Sequence, residues 1–336
     1  MRFWITMSAP GKTASLPLFR QGAVFWSTYG FPLVFVVIVI VFAISSPRFL
    51  TPANALLILL QASVTAIAAV GATMVFLGGR IDISQGAIMA LSAAVCASLY
   101  ATLGVPEVIA MALGVLSGAA IGFLNGFFSE IARIPAFIVT LAAMFVVRGA
   151  VLMALGGQSV LLPPDGAPIL RMLGNGRIVG VVPVVIVVAI VLFAVFGFVL
   201  RRTTWGVYLY AVGSSAESAE RAGIRARRIR ITAYTLAGAL SAFAGLVLLG
   251  RLGAAPSELG TGQEFFIITA VVLGGVSVYG GKGKLWRSFM GAAFITMLAN
   301  GLVMMNVSAY FQQIVVGVAL LIALLLDRIG AEDTAQ

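Results

Sequence analysis

The stretch "GGRIDISQGAIMALSA" (residues 78–93) sets an arginine, an aspartate and a serine between two long apolar runs, one ending at Leu77 and the next starting at Gly86. Arg80, Asp82 and Ser84 stand out because only 10% of the chain is charged while 61% is hydrophobic. A soluble protein carries about 25% charged residues. With a mean hydropathy of +1.11, 336 residues cannot hide their apolar surface in a water-soluble fold, so the solvent is lipid. The quoted stretch therefore reads as a break between two membrane helices, and the fold class as all-α: a polytopic membrane helix bundle.

Crossing the hydrocarbon layer takes roughly 20 helical residues. Apolar runs read against Gly, Pro and charge punctuation predict about ten transmembrane helices, near 26–46, 54–77, 86–104, 107–129, 134–155, 181–200, 231–250, 263–280, 286–305 and 309–326. Placed on this map, the 21 Lys and Arg all fall inside except Arg48, Arg171, Arg177 and Arg251, which fall outside, and Arg148, which lies within a span. That asymmetry predicts N-in/C-in topology. It also accounts for the net charge of +10 without nucleic acid as a partner. The expected layout is a cytosolic tail over 1–25, a transmembrane domain over 26–328 with a cytosolic loop at 201–230, and a short tail over 329–336. Residues 1–20 lack the apolar core and small-residue cleavage site of a secretory signal. "APGKT" (9–13) lacks the earlier glycine and the strand that a phosphate-binding loop needs.

A single cysteine, Cys96, rules out an internal disulfide framework, and the absence of His removes the commonest metal ligand. Cys96 reads as packing. No metal site and no nucleophile–base set is visible, which speaks against an intramembrane enzyme. In span four, Gly114, Gly118, Gly122 and Gly126 recur every four residues and clear one face for close approach of another helix. "VFLGG" (75–79) is echoed by "VVLGG" (271–275), a weak internal repeat of the kind frequent in transporters. The map makes the two echoes parallel; a miscount of one span would invert them.

Ion-coupled carriers usually hold carboxylates inside the membrane. All eleven acidic residues map to loops or span ends, which disfavours ion coupling, although a broken helix would carry Asp82 or Glu264 deeper. "SSAESAERAGI" (214–224) has Ser214 and Glu217 in capping-box spacing and ends at Gly223, so it predicts a two-turn helix with small residues including Ala219, flanked by arginines. Two readings stand open at this point: a solvated positive loop, or a short helix that fits a groove on a cytosolic partner.

Four ordered stretches bear on that choice. "GGRIDISQGAIMAL" is similar to the Gly-Gly-Ile-Asp-Leu-Ser-x-Gly signature of the monosaccharide (ribose-type) permeases of bacterial ABC importers. "LNGFFSEIARIPAFIVTLAAMFVVRGAV" (124–151), "AVGSSAESAERAGI" (211–224) and "GTGQEFFIITAVVLGGVSVYGGKGKLWRSFMGA" (260–292) resemble further segments of the same family. From about residue 54 to 328 the chain resembles that family throughout. It departs from the pattern at Arg80, where a small residue is usual, at Gln85, where an aliphatic one is, and at Phe265–Phe266, where Leu-Asp follows the glutamate.

The resemblance implies a two-permease core, either a homodimer or a heterodimer, in the bacterial cytoplasmic membrane. It also implies two copies of a cytosolic ATP-binding subunit that uses ATP and Mg, and an extracytoplasmic sugar-binding protein. The chain itself is then expected to be no enzyme and to bind no cofactor. Ser214, Glu217, Ala219, Glu220 and Gly223 become the coupling residues, and Gly79, Asp82, Ser84 and Gly86 the signature loop. Asp82 and Ser84 suit the capping of the helix that begins near Gly86, with Arg80 expected to pair with Asp82. A neutral sugar calls for amides, hydroxyls and aromatic faces. Candidates for its path are Gln61, Thr65, Asn125, Phe137, Thr140, Phe145, Asn300 and Asn306, each of which also suits plain helix–helix bonding. The competing expectations are a permease for branched-chain amino acids or nucleosides, and an ion-coupled carrier working alone.

Overall fold

Apolar runs with no water to satisfy their backbone must bond internally, and helices dominate accordingly. The computed structural model describes residues 35–332; the expected tail at 1–25, with "APGKT", and the start of the first span lie outside the described residues, as do residues 333–336. Residues 42 onward cluster as one compact unit, and ahead of it the described residues 35–41 are helical.

The helices are α1 (Phe35–Ser45), α2 (Pro52–Leu77), α3 (Gln85–Ala97, continued by a π turn over Ser98–Thr102), α4 (Glu107–Glu130), α5 (Ala136–Leu155), α6 (Pro168–Asn175), α7 (Val184–Arg202), α8 (Thr204–Ser214), α9 (Ala216–Arg221), α10 (Ala226–Leu252), α11 (Gln263–Leu273), α12 (Leu285–Met304) and α13 (Ala309–Glu332). Among the described residues, α2, α3 with its π turn, α4, α5, α7, α10 and α12 are the seven long and apolar enough to cross a membrane; α1, α11 and the apolar part of α13, Phe311–Leu325, are shorter. Two small antiparallel ladders pair β1 (Val160–Leu161) with β4 (Ala254–Ala255) and β2 (Arg177–Ile178) with β3 (Val182–Pro183).

From Ala62 to Leu77, α2 is buried on every side, and α10 is buried along most of its length. The glycine face of α4 packs on α10 as its spacing predicts. A Cβ at Gly126 would sit 2.9 Å from Ile231 Cα, and one at Gly122 would sit 3.1 Å from Gly238 Cα. At Gly114 a Cβ would come 2.9 Å from Ser92 O of α3, and the Ser92 hydroxyl donates to Ala242 O of α10 at 2.8 Å. Cys96 is buried in this core.

Two expectations are corrected, and one helix is added. The span drawn at 263–280 is a helix of eleven residues, about 16 Å long, because Gly274 and Gly275 end it. The loop drawn at 201–230 is largely helical: α7 continues to Arg202, α8 and α9 follow, and α10 already starts at Ala226. The Thr203 hydroxyl, accepting from Gly206 N–H, caps α8 and restarts the helix at once. The connection after α5 contains α6, whose N-terminus is capped from far away in sequence: Glu107 accepts from Leu170 N–H at 2.7 Å and from Ile169 N–H at 3.2 Å.

Candidate functional site

Both echoed segments end their helices with one and the same turn. After α2, Gly78 N–H donates to Met74 O, Gly79 N–H to Phe76 O and Arg80 N–H to Val75 O; after α11, Gly274 donates to Ala270 O, Gly275 to Val272 O and Val276 to Val271 O. The second glycine of each is left-handed, with φ of 73° at Gly79 and 75° at Gly275, a conformation that a residue bearing a Cβ adopts at a cost.

The two breaks meet. Gly281 N–H donates to Leu77 O at 3.0 Å, and a Cβ on Gly280 would stand 2.6 Å from Gly79 Cα. Gly213 of α8 is pressed between them: a Cβ there would overlap Leu77 O and lie 2.6 Å from Gly281 N. The parallel placement of the echoes, with both breaks at one end of the bundle, is thereby observed directly.

Charge holds the first break. Arg230 of α10 donates through Nε to Gly78 O at 2.9 Å, and its Nη1 lies 3.3 Å from Glu130 Oε2 at the end of α4. The other oxygen of Glu130 accepts from Arg80 Nε at 2.7 Å. One buried carboxylate thus joins two guanidinium groups, and the pairing expected between Arg80 and Asp82 is replaced by this one. One turn along α10, the Tyr234 hydroxyl donates to Ile81 O at 3.0 Å.

Asp82 turns inward onto Ser84, the residue before α3, and the start of α3 carries no side-chain cap bond of the kind expected of Asp82 and Ser84. Asp82 Oδ1 accepts from Ser84 N–H at 2.8 Å and from Ser84 Oγ–H at 2.6 Å, and Asn125 Nδ2 donates to Ser84 Oγ at 2.9 Å. Gly86 lies against the first turn of α11: a Cβ there would overlap Glu264 Oε2 and Gly260 O. The half-length α11 therefore carries Glu264 into the bundle, where one oxygen accepts from Gly262 N–H. Arg148 of α5 donates to Leu259 O in the same loop at 2.7 Å. Asp82, Glu107, Glu130 and Glu264 are all buried, so acids that sit at helix ends in sequence are nonetheless enclosed.

From Gly213 the chain leads straight to an exposed knob. Ser214 closes α8, donating to Tyr210 O, and Ser215 is the residue that caps α9 by accepting from Ser218 N–H. The capping role expected of Ser214 thus belongs to its neighbour. Glu217 pairs with Arg221 across one turn, and Glu217 and Glu220 face outward. Ala219 alone points in, packed on Val212 and Ala226. Gly223 ends the helix at φ 83°, and a Cβ there would meet nothing within 4 Å. The coupling residues named from the sequence thus form one exposed element, and Val212, against which Ala219 packs, is the residue before Gly213.

The expected path residues are not gathered in one place. Asn125 belongs to the Asp82–Ser84 network. Asn300 exchanges bonds of 3.0 and 3.1 Å with Asn54, tying α12 to α2. Thr140 is buried and donates to Phe137 O within α5, while Phe137 and Phe145 are exposed on that helix. Gln61 and Thr65 lie along α2, half-buried and buried. Asn306 holds a left-handed turn between α12 and α13. Sequence reading passed over Glu130, Arg230, Tyr234 and Gly213. The available signal was an acid at the last position of an apolar helix and an arginine in the first turns of another, in a chain with few charges to spare.

The family model described as "Branched-chain amino acid transport system / permease component" matches residues 54–324, a stretch that includes both breaks, the charge cluster and the knob. The chain belongs to that family. It is similar to the ribose import permease protein of Escherichia coli strain K12, 38% identical over 293 residues covering 87% of this chain and 91% of the relative. It is likewise 38% identical over 300 residues to the ribose import permease protein of Bacillus subtilis, covering 87% and 90%. Similarity to the L-arabinose ABC transporter permease protein of Azospirillum brasilense is 35% over 326 residues, covering 96% and 94%. No solved structure matches. The chain is a transport permease and a multi-pass protein of the bacterial cytoplasmic membrane.

Proposed function

We propose that the chain forms the translocation path for a monosaccharide in an ATP-driven importer, with ten spans and both termini in the cytosol. In this reading a cytosolic subunit hydrolyses ATP with Mg and grips α9, a binding protein delivers the sugar from outside, and a second permease completes the path. What supports it most is the short link from exposed α9 through Val212 and Gly213 to the two breaks. A push on α9 moves Gly213, which has no slack against Leu77 O. The Glu130 cluster then passes the displacement to α4 and α10. The sugar assignment draws on relatives named for ribose and arabinose. The family's own description favours branched-chain amino acids as the second reading.

The test is reconstitution in liposomes with the partner ATPase and the binding protein. Gly223→Trp places bulk in open space beside α9 and is expected to reduce ATP-driven uptake and ATPase docking by about tenfold or more. Gly223→Ala carries the same backbone strain without the bulk and is expected to keep both. Normal docking and uptake in Gly223→Trp would remove α9 from the coupling path. Ion-driven uptake by the permease alone would overturn the whole reading. Uptake of a branched-chain amino acid in place of the sugar would establish the second reading.

A further inference from the structure

Beside the second break, the end of α7 and the start of α12 enclose a cleft of ≈ 370 Å³. Its deep wall is apolar, formed by Phe193, Gly197 and Phe198 of α7 with Leu285 of α12. Phe193 meets Phe289 of α12 edge-on at 5.4 Å, which closes the wall behind. At Gly197 a Cβ would meet nothing within 4 Å, so the slot is open there.

The mouth of the cleft is cationic. Arg201, Arg202 and Lys284 line it beside Trp286 and Tyr210. The Tyr210 hydroxyl donates to Gly283 O at 3.0 Å and fixes the rim. Among the described residues no carboxylate forms a salt bridge with Arg201, Arg202 or Lys284. From Phe193 to Arg202, about 14 Å along one helix, the lining passes from apolar to cationic, and Tyr210 and Trp286 stand beside the cations. A phospholipid at the membrane interface shows the same gradient.

We propose that this cleft binds one anionic phospholipid of the cytoplasmic leaflet, its phosphate on Arg201, Arg202 and Lys284 and an acyl chain along Phe193, Gly197 and Phe198. The choice of leaflet rests on the proposed ten-span reading with cytosolic termini, whose map puts Arg201 and Arg202 on the inner side. A free phosphate would need the three cations but not the apolar slot behind them, which is why the lipid is favoured. The bound lipid would brace Tyr210 and Gly283, and through them the loop of the second break.

The experiment uses the full chain in nanodiscs of equal phosphatidylglycerol and phosphatidylcholine, with retained lipid counted by native mass spectrometry. Wild type is expected to keep phosphatidylglycerol selectively. Combined Arg201→Gln, Arg202→Gln and Lys284→Gln should weaken that retention on the order of a hundredfold, at roughly fivefold per cation. Gly197→Leu fills the slot while leaving every cation in place, and is expected to expel the lipid as well. The same number of charges removed at Arg225, Arg227 and Arg228 should leave retention unchanged.

Equal retention of the two lipids, or undiminished phosphatidylglycerol in either cleft variant, overturns the proposal. So does displacement of the lipid by inorganic phosphate together with full binding in Gly197→Leu, which would make the site one for a free anion. Loss of retention in the Arg225 set would assign the lipid to the α9–α10 turn instead. Lipid counting needs no partner subunit, so its failure is separable from failure of the transport reading, which is read by uptake.

Discussion

After Leu77 and after Leu273 the chain makes the same turn, with three equivalent backbone bonds and a left-handed glycine at 73° or 75°, and then follows two different routes. The first route is short and held by side chains: Glu130 links Arg80 to Arg230, and Asp82 binds Ser84 just before α3. The second is longer and held largely by backbone. Ser277 N–H donates to Lys282 O, Gly281 N–H reaches across to Leu77 O, and Gly280, Gly281 and Gly283 have φ of 92°, 68° and 141°. The termination is therefore a local device, written in Leu-Gly-Gly, whereas the continuation belongs to whatever packs beside it. One break has charges that can be edited one at a time. The other depends on main chains approaching more closely than any Cβ permits.

The largest effect is expected where both routes converge. Gly213→Ala drives a methyl into Leu77 O and against Gly281 N, neither of which is the end of a flexible side chain. Overpacking of this kind costs about 3 kcal/mol. Thermal unfolding in detergent should show a clear drop in midpoint and reconstituted uptake should fall with it; a variant as stable as wild type would mean that the breaks slide apart without penalty. Next in size is Glu130→Gln, which touches the first route alone. It leaves two guanidinium groups facing one amide, at a cost of about 2 kcal/mol. The figure lies below that for a fully buried pair because the Arg80 side chain is 33% exposed. Arg80→Gln is expected to cost less than half as much, since Arg230 keeps its bonds to Glu130 and Gly78 O. Equal losses in the two variants would show that Arg80, not the shared carboxylate, dominates the cluster.

Periodic features were legible in the sequence and non-local ones were not. The four-residue glycine spacing in α4 was enough to predict a close-packed seam, because helical φ and the absence of a Cβ are local facts; α10 was the unnamed partner. The first break was legible as a break, since Gly-Gly followed by Arg80, Asp82 and Ser84 has no other reading in an apolar chain, whereas the span drawn at 263–280 ran through the second. The meeting of the two was not legible, because Leu77 and Gly281 are far apart in sequence and neither carries a distinguishing side chain. Ser214 and Ser215 compete for one cap, and spacing to a glutamate favoured Ser214, but α8 extends through Ser214 and leaves the role to Ser215. The eleven-residue length of α11 was hidden because hydropathy continues past Leu273 through Val276 and Val278, and glycine φ rather than polarity ends the helix. The sharing of Glu130 by Arg80 and Arg230 was not legible, because the three residues lie far apart in sequence and meet only where α2, α4 and α10 pack.

The smallest effect tests whether the two turns are as alike energetically as they are in geometry. An alanine at Gly275 meets only Arg287 Nη1, at 3.6 Å, and one at Gly79 meets Gly213 O at 3.5 Å. Both are ordinary contacts, so sterics should add little at either site. What remains is the left-handed φ, which costs a residue with a Cβ about 1–2 kcal/mol. Gly79→Ala and Gly275→Ala are therefore expected to destabilise by nearly equal amounts, and asparagine at either position should recover part of the loss because it visits that region more readily. Midpoints of thermal unfolding measured side by side would decide the matter. Equal shifts with asparagine rescue would confirm a local device used twice. If Gly79→Ala lost distinctly more, the first turn would be strained by the Glu130 cluster, and the same pair of variants made in a Glu130→Gln background should then become equal.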